Sequence, residues 1–192
     1  MTVWFTADQH FGHNNIIKYT GRPFVNAYEM DEEIIRRHNL VVQPDDQVWH
    51  VGDFTFNERC ILGLLSRLNG HHRLIVGNHD RCHPCHKHSE SRRRHYVKYG
   101  FEWVKTGGLI RTDPRIWVTH MPAGDGADLR YPEWRPDPTQ YEWLLHGHNH
   151  DRWKINGHMI NVGVDQWDFT PVSWQTLCEI MNISVDILPV DL

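Results

Sequence analysis

The chain has 192 residues, of which 40% are hydrophobic and 23% charged, with a formal net charge of −4 when its histidines are neutral. That balance suits a single soluble domain over residues 1–192, excludes a disordered or fibrous chain, and argues against a general nucleic-acid binder. No apolar run is long enough to span a bilayer, and the start Met1-Thr2-Val3-Trp4 lacks a basic n-region, so a cytoplasmic protein is expected.

Val3 to Ala7 reads as a buried first strand that ends at Asp8-Gln9-His10. Residues two apart on an extended backbone point to one side, so Asp8 and His10 can converge. Phe11 to Ile17 follows as a tight polar loop with an apolar exit. Asn26 to about Val42 is the first clear helix: Asn26 with Glu29 forms a capping box, and Met30, Ile34, Ile35 and Val41 give an apolar face. Glu32/Arg36 and Glu33/Arg37 stand at i,i+4 spacing on its solvated side. Gln47 to Val51 is the second strand, ending at Gly52-Asp53. Asn57 then caps a helix through Leu68, with Ile61, Leu62, Leu64, Leu65 and Leu68 facing the core and Asn69-Gly70 as its stop.

A third strand, about Arg73 to Val76, delivers Gly77-Asn78-His79-Asp80. A polar stretch leads into a helix that runs to Tyr99 and closes at Gly100. Phe101 to Lys105, Leu109 to Thr112 and Ile116 to Thr119 are three short strands, with Gly107-Gly108 and Asp113-Pro114 as turns. The last delivers His120. A loop rich in Gly, Pro and Trp runs to Gln140, and a loop of that length is expected to border the site. Tyr141 to Leu145 is a strand ending at His146-Gly147-His148-Asn149-His150. Strand-like Met159 to Val164, a helix from Ser173 to Met181 and a strand Ile183 to Leu188 complete the chain.

The strand ends thus collect Asp8, His10, Asp53, Asn78, His120, His148 and His150. All are oxygen or imidazole ligands and none is a thiolate, a mixture that suits Mn, Fe, Zn, Co or Ni. Seven candidates exceed the three protein ligands of a catalytic zinc and fit two ions, for which a carboxylate is a suitable bridge.

The ordered set Asp-x-His, Gly-Asp, Gly-Asn-His-Asp, His, Gly-His-x-His resembles the calcineurin-like metallophosphoesterase superfamily, and Trp4 to His13 is similar to a branch of small bacterial and phage members. The resemblance implies an α/β (α+β) fold of four layers, two packed mixed β-sheets flanked by helices. It implies Asp8, His10 and His150 on one metal, Asn78, His120 and His148 on the other, and Asp53 between them. His79 would stabilise charge or protonate the leaving oxygen, with Asp80 orienting it. The activity implied is hydrolysis of a phosphodiester or nucleotide phosphate, with two divalent ions, Mn favoured. Two cations neutralise the phosphate oxygens and lower the pKa of bound water from 15.7 to about 7, and a hydroxide so generated can attack in line.

The second motif continues Phe54-Thr55-Phe56-Asn57 and departs from the Asp-x-x-Asp-Arg-Gly continuation of the protein-phosphatase branch, so a phosphoprotein substrate is not expected. A phosphomonoesterase, a nucleotide pyrophosphohydrolase and a non-enzymatic interaction module on the same fold are the alternatives. His13, Asn14 and Arg22, near the first ligand pair in sequence, and Arg130 and Arg135, in the loop after His120, are candidate substrate contacts, and Trp134 could stack on a base. Asp125 and Asp128 in that loop would repel an extended polyanion. The basic cluster Arg92 to Arg94 with Lys98 is too local to track a duplex, so a small phosphate ester is expected and a long nucleic acid is not. Cys82-x-x-Cys85, with His83, His86, His88 or His95 nearby, admits a structural zinc site or a polar insertion with two reduced thiols. The lack of a second Cys pair favours the insertion.

Overall fold

Four apolar segments joined by helical crossovers build a parallel sheet in the computed structural model, which describes residues 1–124 and 130–185. β1 (Val3–Thr6), β2 (Gln47–Val51), β3 (His71–Ile75) and β4 (Val104–Lys105) lie side by side in parallel, and β10 (Val172–Ser173) pairs antiparallel with β1. A second five-stranded sheet has the order β5 (Gly107–Thr112), β6 (Arg115–Thr119), β7 (Trp143–His146), β9 (Met159–Asn161), β8 (Ile155–Asn156). Its three central strands are parallel and its two edge strands antiparallel. The architecture is therefore α/β with two mixed sheets flanked by helices, as expected.

The two-residue period of the strands sorts the core. Phe5, Trp49, Val51 and Ile75 join Ile110, Ile116, Val118, Leu145 and Ile160 of the other sheet in one buried cluster, closed by Trp174, Leu177 and Met181 of α5 (Trp174–Met181). On the opposite face of the first sheet, Leu74 and Val76 meet Met30, Ile34 and Ile35 of α2 (Ala27–Val41), Ile61 and Leu65 of α3 (Ile61–Leu65), and Tyr96 of α4 (Ser89–Lys98). Burial of this order, at about 25 cal/mol per Å² of apolar surface, is what holds the strand ends in place.

Local chemistry sets the helix ends with some departures from expectation. Asn26 caps α2 by accepting the Glu29 amide at 3.0 Å, but the Glu29 carboxylate takes the Val25 amide at 2.7 Å in place of the cap residue's own. Glu33 holds both Arg36 and Arg37, while Glu32 reaches across to Arg67. Val42, not Val41, is the buried valine. The expected helix from Asn57 to Leu68 is a 3-10 turn, Glu58–Cys60, followed by the short α3, and Leu62 faces solvent. An unexpected helix, α1 (Asn14–Thr20), buries only Ile16, which leaves no apolar period to read. Gly107 and Gly108 are not a turn but part of β5, paired with Thr119 and Val118. Of the expected final strand, Ile183 to Val185 are irregular and residues 186–188 lie outside the described residues. No described helix is long and apolar enough to cross a membrane.

Candidate metal centre

Five strands of the two sheets deliver their C-terminal residues to one place. Asp8 and His10 leave β1, Asp53 leaves β2, Asn78 and His79 leave β3, His120 leaves β6, and His148 and His150 leave β7. Asp8 (φ 59°), His10 (52°), Asp53 (56°), His148 (71°) and His150 (48°) all adopt the left-handed backbone region. That conformation is disfavoured for residues bearing a Cβ and concentrates at functional sites. It turns each chain sharply at the strand end, so that its side chain points back into the centre.

Close backbone approach makes room for the cluster. A Cβ at Gly77 would lie 2.2 Å from Asp53 Oδ1, and one at Gly147 would lie 2.6 Å from Asp8 Oδ2. The glycines beside the ligands therefore have a packing reason.

Asp53 Oδ2 stands 3.5 Å from His10 Nε2 and 3.4 Å from His120 Nε2, between the two halves of the site. Asp8 Oδ1 is 4.0 Å from His10 Nε2, and Asn78 Oδ1 is 3.0 Å from His148 Nδ1. Atoms bound about 2.1 Å from one ion are about 3.0 Å apart at a right angle and about 3.4 Å apart at the tetrahedral angle. Most of the observed separations are those spacings. Asp8, His10 and His150 form one group able to hold a metal, and Asp8, Asp53 and His120 another. The first is the expected triad. In the second, Asp8 joins the bridging carboxylate and His120.

The donor atoms fit such a role. Asp8 Oδ1, both ring nitrogens of His10 and Nε2 of His120 are buried without a hydrogen-bonding partner. Buried polar atoms are nearly always paired, so four orphans in one cluster mark a site shaped for a ligand. His120 Nδ1 faces the Val51 carbonyl at 2.8 Å, which assigns a proton to Nδ1 and aims Nε2 inward at the cluster. Burial holds the His10 imidazole well below its ordinary range and pushes the Asp8 carboxyl up. Burial opposes ionisation of Asp53 too, but His120, His10 and His79 outweigh it and keep this carboxyl well below its usual range. Burial likewise works against His120, yet Asp53 and Asp8 hold it up at about 10. Around Asp53 the cluster thus favours positive charge, while burial keeps the His10 ring neutral.

His79 stands apart from both groups. Its backbone amide donates to Asp53 Oδ1 at 2.8 Å, while its half-exposed ring lies against Phe56, centroids 4.8 Å apart, and edge-on to His10. Asp80 does not orient that ring. Its carboxylate accepts the amides of Gly77 (2.8 Å), Asp53 (2.9 Å) and Phe54 (3.1 Å), pinning the second and third ligand loops together.

Several expected substrate contacts are committed elsewhere. Arg22 is buried and forks onto Asp165 at 2.7 and 2.8 Å, with further bonds to the Gln9 and Asp8 carbonyls. Asn14 accepts the Ala27 amide at 2.7 Å, fixing the start of α2. Arg135 donates to the Pro122 and Arg130 carbonyls, bracing its own loop. Trp134 packs edge-on against His83. His13 and Arg130 do line the cleft of about 480 Å³ above the cluster, so the loop after His120 borders it as expected. Asp125 and Asp128 lie outside the described residues. Cys82 is buried in the core, and His86 Nε2 meets the Asn78 carbonyl at 2.8 Å. The Cys82–His88 segment therefore braces the Asn78 loop.

Asp165 is the residue the sequence reading missed. Its Oδ2 is 3.3 Å from His150 Nδ1, so it orients that ring while Arg22 clamps it from behind. A weaker signal was present: Val162-Gly163-Val164-Asp165 after β9 also sets a glycine and a carboxylate behind an apolar strand, with one residue more between them than in Val51-Gly52-Asp53.

The fold and site together define a two-sheet α/β protein with a buried carboxylate–imidazole cluster at its strand ends. No family model matches the chain. It is 32% identical over 185 residues to the Gene 66 protein of Mycobacterium phage L5, covering 86% of this chain and 87% of that one. The Gene 66 protein of Mycobacterium phage D29 is 31% identical over 187 residues, covering 88% and 92%. The chain therefore belongs to the family of these phage Gene 66 proteins. An uncharacterized protein of Methanocaldococcus jannaschii is 29% identical over 191 residues, covering 94% of this chain and 91% of its own. A crystal structure of a protein of unknown function from Aquifex aeolicus shares the fold, with a TM-score of 0.69 and 27% identity over 93% of this chain and 98% of that one.

Proposed function

We propose that this protein is a dinuclear metal-dependent phosphoesterase of the calcineurin-like kind, acting on small phosphodiesters or nucleotide phosphates. The observation that carries the reading is the position of Asp53 Oδ2, 3.5 Å from His10 and 3.4 Å from His120, among donor atoms that are buried and unpartnered. Asp8, His10 and His150 would hold one ion, Asn78, His120 and His148 the other, and Asp53 would serve both, with Mn favoured over Fe, Zn, Ni or Co. When bound, such ions neutralise phosphate oxygens and lower the pKa of water.

The protein's own groups do the rest. Asp165 and Arg22 keep His150 turned inward, the Val51 carbonyl keeps His120 in its Nδ1–H tautomer, and Asp80 locks the loops that carry Asp53 and Asn78. His79, exposed at the cleft floor and outside both ligand groups, would meet the leaving oxygen with an N–H. Four reduced cysteines suit the reducing cytoplasm.

The test is metal loading followed by elemental analysis and hydrolysis of bis(p-nitrophenyl) phosphate with Mn²⁺ or Ni²⁺. About two equivalents of metal and metal-dependent turnover are expected. Asp53→Ala should lose metal from both positions and with it the activity. Two ions held tightly by that variant, at full activity, would remove the assignment.

A further inference from the structure

The cleft has two unlike sides. Its floor is the carboxylate–imidazole cluster, but one wall comes from His13, Tyr19 of α1 and Phe56, none of them a candidate ligand. There the Phe56 ring lies 4.0 Å from that of His13 at 36°, and Tyr19 stands edge-on to His13 at 6.3 Å and 72°. Phe56 is 38% exposed and Tyr19 73%. Single exposed apolar side chains are ordinary. Two aromatic rings gathered beside a polar floor, around a histidine already in contact with one of them, are a platform.

A phosphate gains nothing from such a wall, whereas a planar ring system does. Arg130 and Arg152 line the same cleft and add positive charge above the floor. The volume of about 480 Å³ falls within the range of about 300–1,000 Å³ typical of small-ligand sites. Bases stacked inside a duplex cannot offer a face to this wall, but a mononucleotide can. We propose that the wall formed by Phe56, His13 and Tyr19 is a subsite for the heteroaromatic ring of a nucleoside phosphate, whose phosphate rests on the floor beside His79 and Asp53. This rests on the phosphoesterase reading and narrows its substrate class.

The test compares calorimetric binding of adenosine 5′-monophosphate and ribose 5-phosphate to Mn²⁺-loaded protein. The two ligands share the phosphate and sugar and differ in the base. Stacking of one base on an aromatic side chain corresponds to a factor of about 5 to 150, so the adenosine ligand should bind at least fivefold tighter. In Tyr19→Ala and in Phe56→Leu, which keeps an apolar side chain but loses the ring, that ratio should fall towards one. Equal affinities in the unaltered protein, or a preference that survives both substitutions, would overturn the subsite. The two readings fail separately. Metal-dependent diester hydrolysis without a base preference ends this inference alone, and a base preference abolished by the substitutions, with no ester hydrolysed, supports it while ending the phosphoesterase reading.

Discussion

Acid should weaken this protein through histidines that take no part in the candidate site. His72 Nε2 faces the Leu68 carbonyl at 3.2 Å and so carries its proton there, which leaves Nδ1 to accept from His50 Nε2 at 3.1 Å. His50 Nδ1 in turn accepts from Gln9 Nε2 at 2.9 Å, and His38 Nε2 meets the Asn69 carbonyl at 2.8 Å. Burial holds His38 and His72 at about 4, against an ordinary value of 6.5, and keeps His50 well below its ordinary range. Below 6.5 the unfolded chain takes up these protons and the native state does not, so stability is complete above 6.5 and falls as pH drops towards 4. At 1.36 kcal/mol per unit, a single histidine shifted from 6.5 to 4 forfeits about 2 kcal/mol by pH 5 and about 3 kcal/mol by pH 4. Two such groups threaten a domain whose total stability is of the order of 5–15 kcal/mol. The clean perturbation is His38→Gln, whose amide can still donate to Asn69 but does not titrate. Urea midpoints of the metal-free protein, taken between pH 7.5 and 5 with a chelator present, should fall less in this variant, by about 2 kcal/mol in free energy. Titration of the site histidines is common to both proteins and drops out of the difference. Parallel pH profiles would refute the reasoning, because they would mean that His38 binds its proton equally in both states.

Three further outcomes follow, two from the site and one from α3 as a contrast. His79→Ala should keep both metals, because His79 belongs to neither ligand group and its backbone amide bond to Asp53 survives the substitution, while turnover falls by about 10²- to 10⁴-fold for a poor leaving group and much less for nitrophenolate; equal losses for both leaving groups, measured alongside metal content, would point to positioning instead. Gly77→Ala puts a Cβ 2.2 Å from Asp53 Oδ1 and should cost about 1–3 kcal/mol together with metal affinity, as read by denaturation and metal titration. Gly63→Ala in α3, with nothing within 4 Å, should instead be neutral or stabilise by about 0.5–1 kcal/mol.

What the sequence makes legible is what repeats along one segment. An apolar run closed by glycine and a carboxylate or amide marks β2 and β3 and their ligands, and a capping residue with a 3–4 spacing marks α2. The two-residue strands β8 and β10 have no such signature, since they exist only through pairing with β9 and β1. Gly107 looks like a turn residue in isolation. Its partner across the sheet explains it: a Cβ there would come within 2.6 Å of the Val118 carbonyl.

The harder boundary runs through the charged residues. Arg22, Arg130 and Arg135 are the same side chain near the same site, and residue type alone assigns all three to substrate. The fold separates them by what else lies within reach of the guanidinium. Asp165 arrives from the far end of β9, 143 residues later, and captures Arg22 in a buried bidentate pair. Once desolvated, that arginine is far more costly to leave unpaired than to leave clamped, so it stays a strut between the Asp8 loop and His150. Arg135 is drawn to the carbonyls of its own loop by the 3-10 turn Pro132–Trp134 that precedes it. Arg130 alone of the three lines the cleft. The division between residues that touch a ligand and residues that hold those residues still is set by long-range partners, and a single sequence read locally does not contain them.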